Sequence, residues 1–181
     1  DQPVLVSDEI RHVTEPVALV AAPTRDRALE AVAHIEVLYE ALESLTDPEK
    51  AVGNDIVIFG EDNVFSSIII EHGEGSTTLD SLGGRIIEAE YRVGLQEQLY
   101  IEPQGMIASP RPDGGMTIFG SMQCPFYIVK ALKRVLGHED LNVIQAVTGG
   151  GFGGKEEYPS MVAAHAAVLS IKTGKPIKLI Y

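Results

Sequence analysis

The chain reads as an α+β protein, with mixed sheets carrying packed helices. Three observations predict that class. Two apolar runs flank Pro110-Arg111-Pro112-Asp113-Gly114-Gly115, a turn signal that joins them as a hairpin with a long loop. Two later segments read as helices, the first repeating its apolar residues at helical spacing and the second closed by Gly174 and Pro176. A glycine-rich run lies between a strand-like segment and the second of these helices, so the order from residue 116 onward is strand, helix, strand, loop, helix, strand.

Element by element, residues 17–22 form a short apolar run ahead of Pro23 and predict a buried strand. Thr24 offers an N-cap for a helix to about Ile35, with Ala28, Leu29, Ala31, Val32 and Ile35 on one face. Residues 35–39 return as a second strand. Residues 44–54, with Pro48 and Gly53 among charges, read as a linker or long loop. Residues 56–59 and 66–70 are apolar enough for strands, and Ile87, Ala89, Tyr91 and Val93 alternate with Glu88, Glu90 and Arg92 in the period of a half-buried strand. Residues 101–108 and 116–121 are the arms of the hairpin. Pro125 suits the first turn of a helix in which Phe126, Val129, Leu132, Val135 and Leu136 recur at helical spacing, and Gly137 ends it. A strand over 141–147, a helix over about 157–172 closed by Gly174 and Pro176, and the start of a strand at 177–181 complete the reading. Met106, Met116, Met122 and Met161 read as core fillers.

Composition excludes several functions. The 181 residues, 45% of them apolar, can bury the core of one ordinary domain or two small ones. Fourteen basic residues stand against 26 acidic ones, a net charge of −12 that argues against a nucleic-acid surface. No stretch of about 18 apolar residues exists to span a membrane, and the first ten residues lack the basic-then-apolar order of a secretory leader. A cytoplasmic location is the resulting expectation. The single cysteine, Cys124, gives no internal disulfide and no zinc-ligand spacing. The sequence starts without Met and stops in an apolar run, which reads as an internal piece of a longer polypeptide.

The run Gly149-Gly150-Gly151-Phe152-Gly153-Gly154-Lys155-Glu156 places five glycines in six positions. Glycine loses the most backbone freedom on folding, so such a run implies a sharp bend or close approach to another molecule. It satisfies the dinucleotide fingerprint and most of a phosphate-binding P-loop. However, Glu156 stands where the P-loop needs Ser or Thr, and no acid lies about 20 residues on to hold a ribose. Two readings remain open: a tight turn whose glycines let elements pack, and a loop whose amides approach a bound group, with Phe152 as the wall of a pocket.

The segments Gln96-Glu97-Gln98-Leu99-Tyr100-Ile101-Glu102-Pro103, Ser121-Met122-Gln123-Cys124-Pro125 and the glycine octapeptide, in this order and at these separations, resemble the molybdenum hydroxylase family of xanthine dehydrogenases and aldehyde oxidoreductases. Glu9-Ile10-Arg11-His12-Val13 with Pro16-Val17-Ala18-Leu19-Val20-Ala21 is similar to the end of that family's α/β hammerhead domain, and Gly174-Lys175-Pro176-Ile177 to the segment just past its glycine helix. The resemblance implies a remnant of the hammerhead domain plus linker over 1–53 and the first part of a molybdopterin-binding domain over 54–181. It implies a molybdenum–pterin cofactor and hydroxylation, with water, of a nitrogen heterocycle or aldehyde. Electrons would leave through iron–sulfur clusters and FAD on other domains or subunits.

By the same resemblance, Gln123 matches a glutamine beside an oxo group of the metal, while Gly151, Phe152 and Gly153 match residues next to the cofactor. Gln123 and Phe152 would flank molybdenum without ligating it, and Phe152 would also pack on an aromatic substrate. Glu156 matches a glutamate that binds purines such as hypoxanthine or xanthine in xanthine-type members. The family's catalytic base lies in a segment further along that these 181 residues do not contain, so the expectation is a chain inert by itself. The rival expectation is a non-catalytic binding or assembly domain, in which Phe152 is buried under helices and the glycine loop only packs. Glu102 matches the family pattern with no chemical task attached, and His165 reads as a packed or surface histidine rather than a metal ligand.

Overall fold

Backbone pairing in the computed structural model, which describes residues 2–72, 83–85 and 87–181, is concentrated after residue 104. Strands β1 (Gly105–Pro110), β2 (Met116–Gly120), β3 (Leu141–Gln145) and β4 (Ile177–Ile180) form one mixed sheet in the order β3-β2-β1-β4. Helix α1 (Arg25–Ala33) and the single turn α2 (Pro48–Ala51) precede it, and α3 (Pro125–Leu136) and α4 (Pro159–Thr173) are interleaved with its strands. β1 pairs antiparallel with β2, Ala108 facing Ile118, across the expected hairpin. Its turn is closed by the Arg111 amide donating to Gly115 O at 2.8 Å, with Gly114 at φ 90°. β2 and β3 are parallel and so need a crossover, which α3 supplies.

The sequence period decides which faces meet. Met106 and Ala108 of β1 and Met116 and Ile118 of β2 alternate inward, where they meet Ile128 and Leu132 of α3 and Val162, Ala163, Ala166 and Ala167 of α4. The alanines let α4 lie close on β1 and β4 while α3 packs on β3 and α4. Left-handed glycines end both helices, Gly137 at φ 72° and Gly174 at φ 65°. Of the four methionines, Met106, Met116 and Met122 are buried and Met161 is half-buried.

Contacts divide the chain into two units: Gln96–Tyr181 with the segment ending at Glu36, and Val37–Leu95. Within the second, Asn63 (φ 64°) organises the local backbone. Its Oδ1 accepts from the amides of Ile58 (2.7 Å) and Phe59 (3.1 Å), and its Nδ2 donates to Ala51 O and Ile56 O.

Several expected elements are corrected. The strand over 56–59 does not form, because the Asn63 side chain takes the amides that a ladder would use. Residues 17–22, 35–39, 66–70 and 87–93 are also not strands. Ile69 (82% exposed), Ile70 (88%) and Tyr91 (88%) have no neighbouring strand among the described residues, and alternation without a partner makes no sheet. The expected linker holds the short α2, capped by Asp47, whose Oδ1 accepts from the Glu49 amide. Thr24 caps α1 as expected, but no α1 residue is buried. On α3 the core face is Ile128, Leu132, Val135 and Leu136, whereas Phe126 is 82% exposed.

Candidate functional site

The glycine run forms an irregular turn between β3 and α4, beside the N-terminus of α3. Its path needs glycine where the loop touches its own scaffold. A Cβ on Gly151 would lie 2.2 Å from Gln123 Oε1, one on Gly154 2.3 Å from Tyr100 Cε1, and one on Gly149 2.9 Å from Glu102 Cβ. Gly150 (φ 97°) and Gly153 (φ 91°) take the left-handed region at no steric cost. Phe152 lies between them at φ 49°, a conformation that costs a non-glycine residue of order 1–2 kcal/mol. Its ring is 75% exposed, so burial does not compensate that strain.

Gln123 stands under this turn, directly before α3. Its side-chain Oε1 accepts from the amides of Gly153 (3.1 Å) and Lys155 (3.2 Å), and its own backbone amide donates to Lys155 O (2.7 Å). Two N–H donors fix the carbonyl end of the side chain toward the loop, which leaves the Nε2 amide as a donor for something else. The amides of Gly150, Gly151 and Phe152 donate to no partner among the described residues. Gln123, Gly151, Phe152 and Gly153 thus lie together at this turn. Glu156 is exposed and lines, with Gly153 and Gly154, an open cleft of about 1480 Å³ that also takes in Tyr100 and Gln104. No hydrogen bond joins it to Gln123.

Beneath the loop is a charged cluster of Lys155, which the sequence suggests is structural or near the pterin, and Glu102, to which it attaches no task. Lys155 is fully buried. Its Nζ donates to Glu102 Oε2 (2.7 Å) and Ser121 Oγ (3.0 Å) and lies 5.0 Å from the centre of the Tyr100 ring, so the ammonium is satisfied on every side. Glu102 Oε2 also accepts from Ser121 Oγ (2.7 Å) and from the Gly149 amide (2.6 Å). The Lys155 ammonium, then Ser121 and the Gly149 amide, hold the Glu102 carboxyl down to about 2. Gln104 adds a neutral tie, donating from Nε2 to Gly154 O (2.7 Å) and Tyr100 OH (2.9 Å). Glu102 and Lys155 are 53 residues apart, so their pairing has no local signal; the only hint was that each falls in a motif segment.

Cys124 is half-buried at the start of α3 and makes no side-chain cap bond. His165 is buried in α4, Nε2 against Val4 O (2.8 Å) and Nδ1 against Tyr181 OH (3.4 Å), a packed histidine as expected. Among the described residues there is no cluster of His, Cys, Asp and Glu able to hold a bare metal ion, and no helix long and apolar enough to cross a membrane.

The loop thus leaves the amides of half-buried Gly150, buried Gly151 and exposed Phe152 without partners among the described residues, beside Gln123 Nε2. The chain belongs to the molybdopterin cofactor-binding domain family, which residues 60–181 match. Among individual proteins it is similar to a probable xanthine dehydrogenase subunit of Bacillus subtilis (strain 168), 33% identical across 99% of this chain and 24% of that protein. It is 32% identical to the nicotinate dehydrogenase large molybdopterin subunit of Eubacterium barkeri, across 99% of this chain and 42% of that one. The solved structure of quinoline 2-oxidoreductase from Pseudomonas putida 86 superposes with a TM-score of 0.82 at 26% identity, covering 99% of this chain and 23% of that chain. The chain thus spans less than half the length of these relatives.

Proposed function

We propose that this chain is the part of a molybdenum hydroxylase's large subunit that presents the glycine loop to the cofactor. The intact enzyme would hydroxylate a nitrogen heterocycle, a purine such as hypoxanthine or xanthine, with oxygen from water. The observation that carries the reading is Phe152. It is held at positive φ with its ring exposed, above a glutamine whose amide nitrogen is left free to donate. A loop that only packed would bury the ring and relax the backbone.

The residues fit the group. Gln123 Nε2 and the amides of Gly150, Gly151 and Phe152 are donors suited to oxygen atoms on a metal or a phosphate. When bound, the cofactor would supply the oxidation of an electrophilic carbon and take up its electrons. The chain's own part is to bind and orient: Gln123 and the loop amides hold the cofactor's polar edge, and the exposed Phe152 ring offers an apolar face to a flat heterocycle. Glu156, at the mouth of the cleft, would accept hydrogen bonds from a polar ring; it is the residue on which the purine assignment rests. Electrons would pass to iron–sulfur clusters and FAD on other domains or subunits, in a cytoplasmic enzyme.

The test is expression of the uninterrupted reading frame with its neighbouring subunits in a host that makes the cofactor. Molybdenum and pterin near one per large subunit, with turnover of hypoxanthine or xanthine above that of nicotinate, quinoline and simple aldehydes, is the expected result. Folded protein without molybdenum would sink the hydroxylase reading in favour of an assembly domain. Turnover confined to aldehydes would refute the purine assignment alone.

A further inference from the structure

Glycine has the least intrinsic conformational restraint of any residue, so a loop with five of them needs outside support if its amides are to present a constant pattern. Gln123 restrains the side of the loop at Gly151 and Gly153, and a second restraint acts at the loop's two ends. We propose that Glu102 is a positioning residue for this loop: one carboxylate oxygen, Oε2, takes the Gly149 amide at the loop's start and the Lys155 ammonium at its end, and thereby sets the conformation of Gly151, Phe152 and Gly153 from behind the site.

Four observations support it. Both bonds are charge-assisted and short, 2.6 and 2.7 Å. Ser121 ties the same oxygen and the same ammonium together, so the carboxylate cannot rotate to serve one end and release the other. The residue at the closed end, Lys155, also fixes Gln123 through both its amide and its carbonyl, so displacement of Lys155 moves the Nε2 donor as well. Finally, the pair joins a fully buried ammonium to a half-buried carboxylate, and burying a charge is a poor means of adding stability. What a charged pair adds here is direction. The clamp itself is a property of the chain; its effect on a molybdenum cofactor rests on the function proposed above.

The experiment uses the uninterrupted protein with its neighbouring subunits, carrying Glu102→Gln or the pair Glu102→Gln with Lys155→Met. Amide hydrogen exchange is followed on peptides covering 149–155, with peptides of α4 as the internal reference. In Glu102→Gln the loop amides that are bonded in the fold, those of Gly149, Gly153, Gly154 and Lys155, should exchange roughly tenfold faster or more, with α4 unchanged, and molybdenum that the wild type retains through purification should be lost. Should the single variant fail to fold because it strands the Lys155 charge, the double variant removes that charge as well. It should fold and still show the faster loop. Wild-type loop exchange in the folded double variant, or in the folded single one, would overturn the clamp. Exchange decides the clamp whether or not molybdenum is bound, while a wild type without molybdenum counts against the proposed function only.

Discussion

At the scale of single residues, the loop separates two uses of glycine that a sequence cannot distinguish. Gly151 is required by close approach, since a methyl group there would sit 2.2 Å from the Gln123 amide oxygen. Gly151→Ala should lower stability by about 1–3 kcal/mol through overpacking and should displace Gln123. Gly153 has open space at its Cβ and is required only by φ 91°, so Gly153→Ala should cost about 1 kcal/mol and leave Gln123 in place. Chemical denaturation of the two variants, with molybdenum content of the intact protein, checks the contrast. Gln123 gives a second separation. Gln123→Glu keeps oxygens for the Gly153 and Lys155 amides but has no N–H to donate, so the melting temperature should stay near wild type while molybdenum occupancy falls. A large drop in melting temperature with full occupancy would show the side chain to be scaffold only. The residues that carry these proposed roles were singled out by their motifs. That Lys155 would be buried, and on which carboxylate, was not, because a charged residue in a loop is ordinarily solvated.

At the scale of elements, period and caps located the helices and strands that pack. Thr24, Pro125, Gly137 and Gly174 mark ends that the structure keeps. The same patterns failed between 17–22 and 87–93, where apolar runs meet no partner or a side chain such as Asn63 takes the backbone amides. Helix α4 carries a further expectation. His165 is buried in it against Val4 O, and desolvation lowers its proton affinity below the ordinary 6.5. A histidine depressed in the fold binds more protons when unfolded, so this group's contribution is intact above pH 6.5 and is lost as pH falls from there to the folded value. His165→Gln, which can still donate to Val4 O, should remove that part of the pH slope in urea unfolding. An unchanged slope would place its origin elsewhere.

At the scale of the whole molecule, the chain exposes Leu99 (79%), Ile101 (97%), Phe126 (82%) and Val147 (96%) in the unit that holds the glycine loop. Exposed side chains of this size favour association. The isolated 181 residues should therefore self-associate in light scattering and turn over no hypoxanthine, whereas the uninterrupted protein should be monodisperse with its neighbouring subunits. Turnover by the isolated chain would overturn the assignment of the catalytic base to a segment further along.

The amino-acid order alone specified the hairpin at 110–115, the helices from Pro125 and before Gly174, and a glycine turn between the last two. Each of these rests on neighbours within a few positions or on a motif, so local physics suffices to read it. Folding in three dimensions was needed to order the sheet as β3-β2-β1-β4, to leave the apolar runs at 66–70 and 87–93 unpaired, and to join Glu102 to both Gly149 and Lys155. Those outcomes depend on which distant groups meet, and a hydrogen bond or an ion pair acts only over a few ångströms of space, whatever the number of residues between its partners.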